Sequence, residues 1–60
     1  MAGKTLKCIK PFFVFEEGQS YYCFAEEGSH IWIWFPEGYC GVNQLQVSME
    51  SAENNFIIRE

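Results

Sequence analysis

Aspartate is absent from this chain, histidine occurs once, and only Lys4, Lys7, Lys10 and Arg59 are basic. These gaps exclude much chemistry. A general acid or base needs a titratable group held in a pocket, and His30 stands alone at a turn-to-strand junction. There is no Gly-x-Ser-x-Gly elbow for a serine nucleophile. Gly3, Gly18, Gly28, Gly38 and Gly41 are spread through turns and form no phosphate-binding cluster. A Cys–His30 dyad would need a substrate cleft, for which sixty residues broken by many turns leave little volume. The expectation is a protein that is not an enzyme and takes no cofactor. Binding to DNA or RNA needs cations to neutralise phosphates, and a pI near 4.8 argues against it. No apolar run approaches the 18 or more residues of a membrane span.

Cysteine is also scarce. Cys8, Cys23 and Cys40 are an odd number with no secretory signal before them, so the thiols are expected to be free and the protein cytoplasmic. Together with His30 they make a Cys₃His set on paper, but none stands in the close C-x₂₋₄-C pair that small zinc domains use. No metal is expected, and the cysteines read as small apolar residues.

Aromatic residues, by contrast, are abundant: six Phe, three Tyr and two Trp. One small core cannot hold them all, and exposed aromatics are the usual material of an interface. A chain this short has a marginal core that commonly needs a disulfide, a metal or a partner subunit. With the first two set aside, a homo-oligomer is expected. Charge is uneven as well. Residues 11–58 hold seven Glu and no Lys or Arg, an acidic body suited to steering toward a basic partner, including a nucleic-acid-binding site on another protein. The same carboxylates also keep an aromatic-rich surface soluble.

Turn residues recur about every ten positions, the rhythm of a small all-β sandwich or barrel. A first strand is expected over residues 5–10, with Leu6 and Cys8 on one face, stopped by Pro11. The apolar run Phe12 to Phe15 then falls in a loop that must fold back over the barrel. A second strand follows over 19–26. In the third, 30–35, His30, Trp32 and Trp34 share one face, and Ile31, Ile33 and Phe35 share the other. Neither face is polar, so the second needs a cover, either the loop of residues 11–18 or another molecule. Pro36 to Gly41 reads as a turn and 42–47 as a fourth strand with Asn43, Leu45 and Val47 inward. Ser48 can cap a helical turn, Glu50 and Glu53 suit its early part, and 56–59 forms a last strand. The expected fold is mainly β, a small SH3-like barrel of about five strands with a short helical turn before the last.

The candidate binding residues are Tyr21, Tyr22, Trp32, Trp34 and Tyr39, with Glu26, Glu27 and Glu37 as surrounding charges. Aromatic faces of this kind serve as stacking platforms for bases or as grooves for proline-rich peptides. A division of these rings between core and homodimer seam is the simpler reading.

Lys7-Cys8-Ile9-Lys10-Pro11-Phe12, Phe15-Glu16-Glu17-Gly18-Gln19-Ser20-Tyr21 and Glu53-Asn54-Asn55-Phe56-Ile57-Ile58 together resemble short proteins encoded by phages and prophages of Gram-positive bacteria. In these, a strand, a Phe-x-x-Gly-x-x-Tyr segment, a hairpin and a terminal Glu-x-x-Phe-x-Ile strand form a small SH3-like barrel. The pair Trp32/Trp34 and the turn Tyr39-Cys40-Gly41 depart from that pattern. The resemblance implies an accessory protein that binds and inhibits a bacterial host protein, a component of an antiviral defence system. The alternative is a structural or regulatory module that binds nucleic acid through its basic terminal strands.

Overall fold

The computed structural model describes residues 1–59, and these form five strands and one helix: β1 (Lys4–Cys8), β2 (Ser20–Glu27), β3 (His30–Tyr39), β4 (Val42–Ser48), α1 (Met49–Asn55) and β5 (Phe56–Arg59). All pairings are antiparallel and make one sheet in the order β4-β3-β2-β1-β5. Strands β1 to β4 are consecutive neighbours, and β5 returns to the free side of β1. This is the expected SH3-like arrangement, with the helix packed against β3, β4 and β5.

Period-two alternation sets the two faces. Leu6 and Cys8, Tyr21 and Cys23, Ile31, Ile33 and Phe35, Leu45 and Val47, and Phe56 point inward and are buried. Ala52 of α1 and Phe15 of the β1–β2 loop complete the core. The loop does fold back. Phe12 and Phe15 exchange backbone hydrogen bonds of 3.3 and 2.9 Å, which turns the Phe15 ring into the middle of the core. There it lies 5.0 to 5.9 Å from the rings of Phe12, Tyr21, Phe35 and Phe56. The loop therefore covers the inner face of the sheet.

Local chemistry explains the helix. The Ser48 hydroxyl accepts the Ser51 N–H at 3.2 Å, satisfying one of the free donors of the first turn. At the other end the Phe56 N–H still bonds to the Ala52 carbonyl as the chain returns to extended geometry.

The ends of β1 and β3, the place of the β3–β4 turn and the side taken by Asn43 differ from the sequence expectation, and the remaining strand ends shift by no more than one residue. Strand β1 ends at Cys8 and not at residue 10: the Ile9 N–H still bonds to the Asn55 carbonyl at 2.8 Å, in register with β5, but Asn55 already belongs to α1 and the ladder stops there. Pro36 to Gly38 is not a turn but an irregular stretch within β3, where the register slips between Trp34↔Gln44 and Tyr39↔Val42. Asn43 fills the slip, its side-chain amide donating to the carbonyls of Phe35 and Pro36 at 3.1 Å each, and it is exposed where burial was expected. The reversal itself is the two-residue turn Cys40-Gly41, with φ of 52° and 80°. Positive φ at both positions is the type I′ geometry that matches strand twist.

Candidate functional site

Eleven aromatic rings divide into two groups. Phe12, Phe15, Tyr21, Phe35 and Phe56 make the core cluster, with Phe13 and Tyr39 in contact at its margin, 4.9 Å apart. The other four, Tyr22, Phe24, Trp32 and Trp34, stand on the opposite face of the sheet and take part in none of the ring pairs among the described residues. The outer face of an antiparallel sheet with one covered side is ordinarily polar. Here it is aromatic, with Tyr22 47 % and Trp34 43 % exposed and Trp32 half-buried.

Register fixes the layout. A row crosses the whole sheet from β5 to β4: Arg59, Thr5, Tyr22, Trp34 and Gln44 are successive cross-strand partners. A second row runs Ala25, Trp32 and Gln46. Between them, Trp32 and Trp34 line a shallow groove of about 500 Å³ with Val42, Asn43 and Gln44. Its lining carries no charge. The extra residue of β2 between Cys23 and Ala25 is a bulge that shifts the phase of the strand and leaves Phe24 exposed beside this face.

Tyr21 separates from the other candidate binding residues. It is a core residue, its ring against Phe15 and Phe35 and its hydroxyl accepting the Glu16 N–H at 3.0 Å. A doublet of tyrosines in a strand sends one ring to each face, and sequence could not say which. Tyr22, Trp32 and Trp34 are together on the outer face. Tyr39, opposite Val42, lies at the hairpin beside Phe13, and its phenol is held above its ordinary pKa by a hydrogen bond with the neighbouring Cys40 thiol. Glu26 binds the Met1 ammonium at 2.6 Å. Glu27 pairs with His30 across the β2–β3 hairpin, and Glu37 is exposed on the irregular part of β3. Phe24, Val42 and Gln44 were missing from the sequence-based set. Period-two alternation puts Phe24 with Tyr22, and Val42 with Gln44, on one face; that they adjoin the tryptophans depends on the cross-strand register, which leaves no local signal.

Basic residues remote in sequence meet in space. Lys4 and Lys7 of β1 and Arg59 of β5 lie on neighbouring strands, and the Arg59 guanidinium donates to the Ser20 hydroxyl at 3.2 Å. Cys8 and Cys23 are fully buried, and their thiols donate to the carbonyls of Lys10 and Ala25 at 3.0 and 3.4 Å. Burial pushes both thiols above the ordinary cysteine range. Cys40 is exposed. Among the described residues no helix is long and apolar enough to cross a membrane.

Comparisons with protein-family models, with curated proteins and with solved structures found no match to this chain.

Proposed function

We propose that this chain is a non-catalytic module that holds a protein partner against the outer face of its sheet, and that the partner is a bacterial host protein, a component of antiviral defence, whose action it blocks. The observation that carries the binding role is the uncharged aromatic face of Tyr22, Phe24, Trp32 and Trp34, on a sheet whose other side already holds the core. A stable interface takes about 800 Å² from each partner, roughly a fifth of the 3892 Å² this chain exposes. The groove between the tryptophans and the rings around it supply the anchors such an interface is built on, because large aromatics in desolvated pockets contribute most of the binding energy. Glu27 and Glu37 act at the rim, where charges steer association. The inhibitory role in defence draws its support from the resemblance to phage-encoded barrels.

One observation favours a second reading, binding of single-stranded nucleic acid. The row from Arg59 to Trp34 puts a cation on the same line as aromatic rings, with Thr5 between Arg59 and Tyr22, and cations near stacking rings are how such sites hold bases while neutralising phosphate. The net charge of −4 works against it.

Both readings are tested with the same variants. The chain is immobilised and exposed to bacterial lysate as wild type, Trp34→Ala, and Lys7→Glu with Arg59→Glu. Under the protein-binding reading a partner is retained by the wild type and by the charge variant and is lost from Trp34→Ala. Quenching of tryptophan fluorescence by a single-stranded oligonucleotide, abolished in the charge variant, supports the nucleic-acid reading instead.

A further inference from the structure

Two kinds of group share the outer face of the sheet, and they meet at one corner. Lys7 stands opposite Ser20 on one side and Ile57 on the other, and Thr5 stands between Tyr22 and Arg59. All six alternate with the buried Leu6, Cys8, Tyr21 and Phe56, which places them on the outer face. The Arg59 side chain does not stay over its own strand. Its guanidinium donates to the Ser20 hydroxyl at 3.2 Å, and β1 lies between β5 and β2, so the side chain crosses β1 on this face. The cation therefore sits beside Ser20, two residues before Tyr22 in β2.

No carboxylate pairs with these cations. The one ion pair among the described residues joins the Met1 ammonium to Glu26, and neither Glu16 nor Glu17 of the β1–β2 loop forms one with Lys7 or Arg59. The chain's net charge is −4, yet β1 and β5 carry Lys4, Lys7 and Arg59 and no acid among the described residues. A guanidinium fork and an ammonium supply the charge-assisted donors that hold a phosphate, and a serine hydroxyl is a common third contact.

From this corner the aromatic row leads away across the sheet, from Tyr22 to its partner Trp34 and then to Gln44. Residues two apart in a strand are separated by roughly 7 Å, and neighbouring strands by about 5 Å. A phosphate at Ser20 thus has the Tyr22 ring at the distance one ribose spans, and Tyr22 with Trp34 gives a stacking surface about as wide as a base. Gln44 ends the row with an amide that both donates and accepts, the group that matches N6 and N7 of adenine.

We propose that this corner binds a nucleoside phosphate, adenine nucleotides above others, with the phosphate on Lys7, Arg59 and Ser20, the base on Tyr22 and Trp34, and its edge read by Gln44. The inference rests on the second of the two functional readings, nucleic-acid binding, and names the unit that is held, whether a free nucleotide or the 5′-phosphorylated end of a strand.

Isothermal titration of the purified protein with AMP, adenosine, inorganic phosphate and phosphotyrosine tests it. AMP is expected to bind about tenfold or more tighter than adenosine or phosphate, because each of these meets half of the site and a hydrogen bond to a charged group is worth that factor. Lys7→Gln with Arg59→Gln should bring AMP down to the affinity of adenosine and leave adenosine unchanged. Trp34→Ala should weaken AMP and adenosine together, and Gln44→Ala should remove the preference for AMP over UMP. A 5′-phosphorylated oligoadenylate that binds more tightly than AMP assigns the site to strand ends; equal binding assigns it to the free nucleotide. The proposal is overturned by no AMP binding at millimolar concentration, by a charge variant that binds AMP like the wild type, or by phosphotyrosine binding as tightly as AMP, which marks a phosphopeptide site. An oligonucleotide bound equally with and without its 5′-phosphate, while AMP is not bound, sinks this inference and leaves strand binding standing; AMP bound with no oligonucleotide bound does the reverse. Circular dichroism checks each fold, and Arg59→Gln alone, at an exposed position, carries the same test if the double variant unfolds.

Discussion

Replacing Phe15 by alanine is expected to cost this protein a third or more of its stability, although the residue lies in a loop. The ring is 2 % exposed and touches the rings of Phe12, Phe13, Tyr21, Phe35 and Phe56. Truncating a buried Phe to Ala costs about 3–5 kcal/mol from lost transfer energy and the cavity left behind. At about 0.05–0.15 kcal/mol per residue, a domain of this length has roughly 3–9 kcal/mol in total. The substitution therefore removes a third of the stability at least, and all of it at the lower end. For a domain this small each kcal/mol is worth about 4–8 °C in Tm, so the expected fall is ~12 °C or more. Thermal melts followed by far-UV circular dichroism, with urea titration of the same samples, measure it. Phe13→Ala is the matched control, two positions away in the same loop and 64 % exposed, and it should shift Tm by only a few degrees. Equal shifts for the two variants would refute the assignment of Phe15 as the centre of the core.

Trp34→Ala should leave Tm within a few degrees of wild type and, under the protein-binding function, raise the partner's dissociation rate by about 30-fold, the equivalent of the roughly 2 kcal/mol of a hot-spot residue; surface plasmon resonance reads it. Cys40→Asn should stabilise the fold by up to ~1 kcal/mol, seen as a higher urea midpoint, because Cys40 sits at φ 52° in a type I′ turn and Asn-Gly is the preferred dipeptide there. A thiol reagent at neutral pH should label Cys40 quickly, and Cys8 and Cys23 only on unfolding. The same burial predicts the pH dependence of stability. Both folded thiols titrate above the ordinary value of 9.0, so the unfolded state loses their protons first. Stability should hold below that pH and fall as pH rises from it toward the folded values, and Cys8→Ala should flatten the fall.

Where a feature depends on residues close in the chain, sequence alone determined it. The alternation of Ile31, Ile33 and Phe35 with Trp32 and Trp34 follows from the strand period, the Ser48 cap from one hydroxyl and the next free N–H groups, and the final strand from the apolar run after Asn54-Asn55. Tertiary structure decided what two-sided alternation leaves open. Residues 30–35 are apolar on both faces, so the pattern names two sets without saying which is inside; the return of Phe15 over one face settled that and left the tryptophans uncovered. The same holds for Tyr21 and Tyr22. The slip in β3 depends on the Asn43 amide reaching carbonyls seven and eight residues away, and a local reading of Pro36-Glu37-Gly38 sees only turn residues. Lys7 and Arg59 stand far apart in the chain and come together only because β5 pairs with β1. Strand order is a property of long-range pairing, and so which strands stand at the edges of the sheet has no signature in any single segment of the chain.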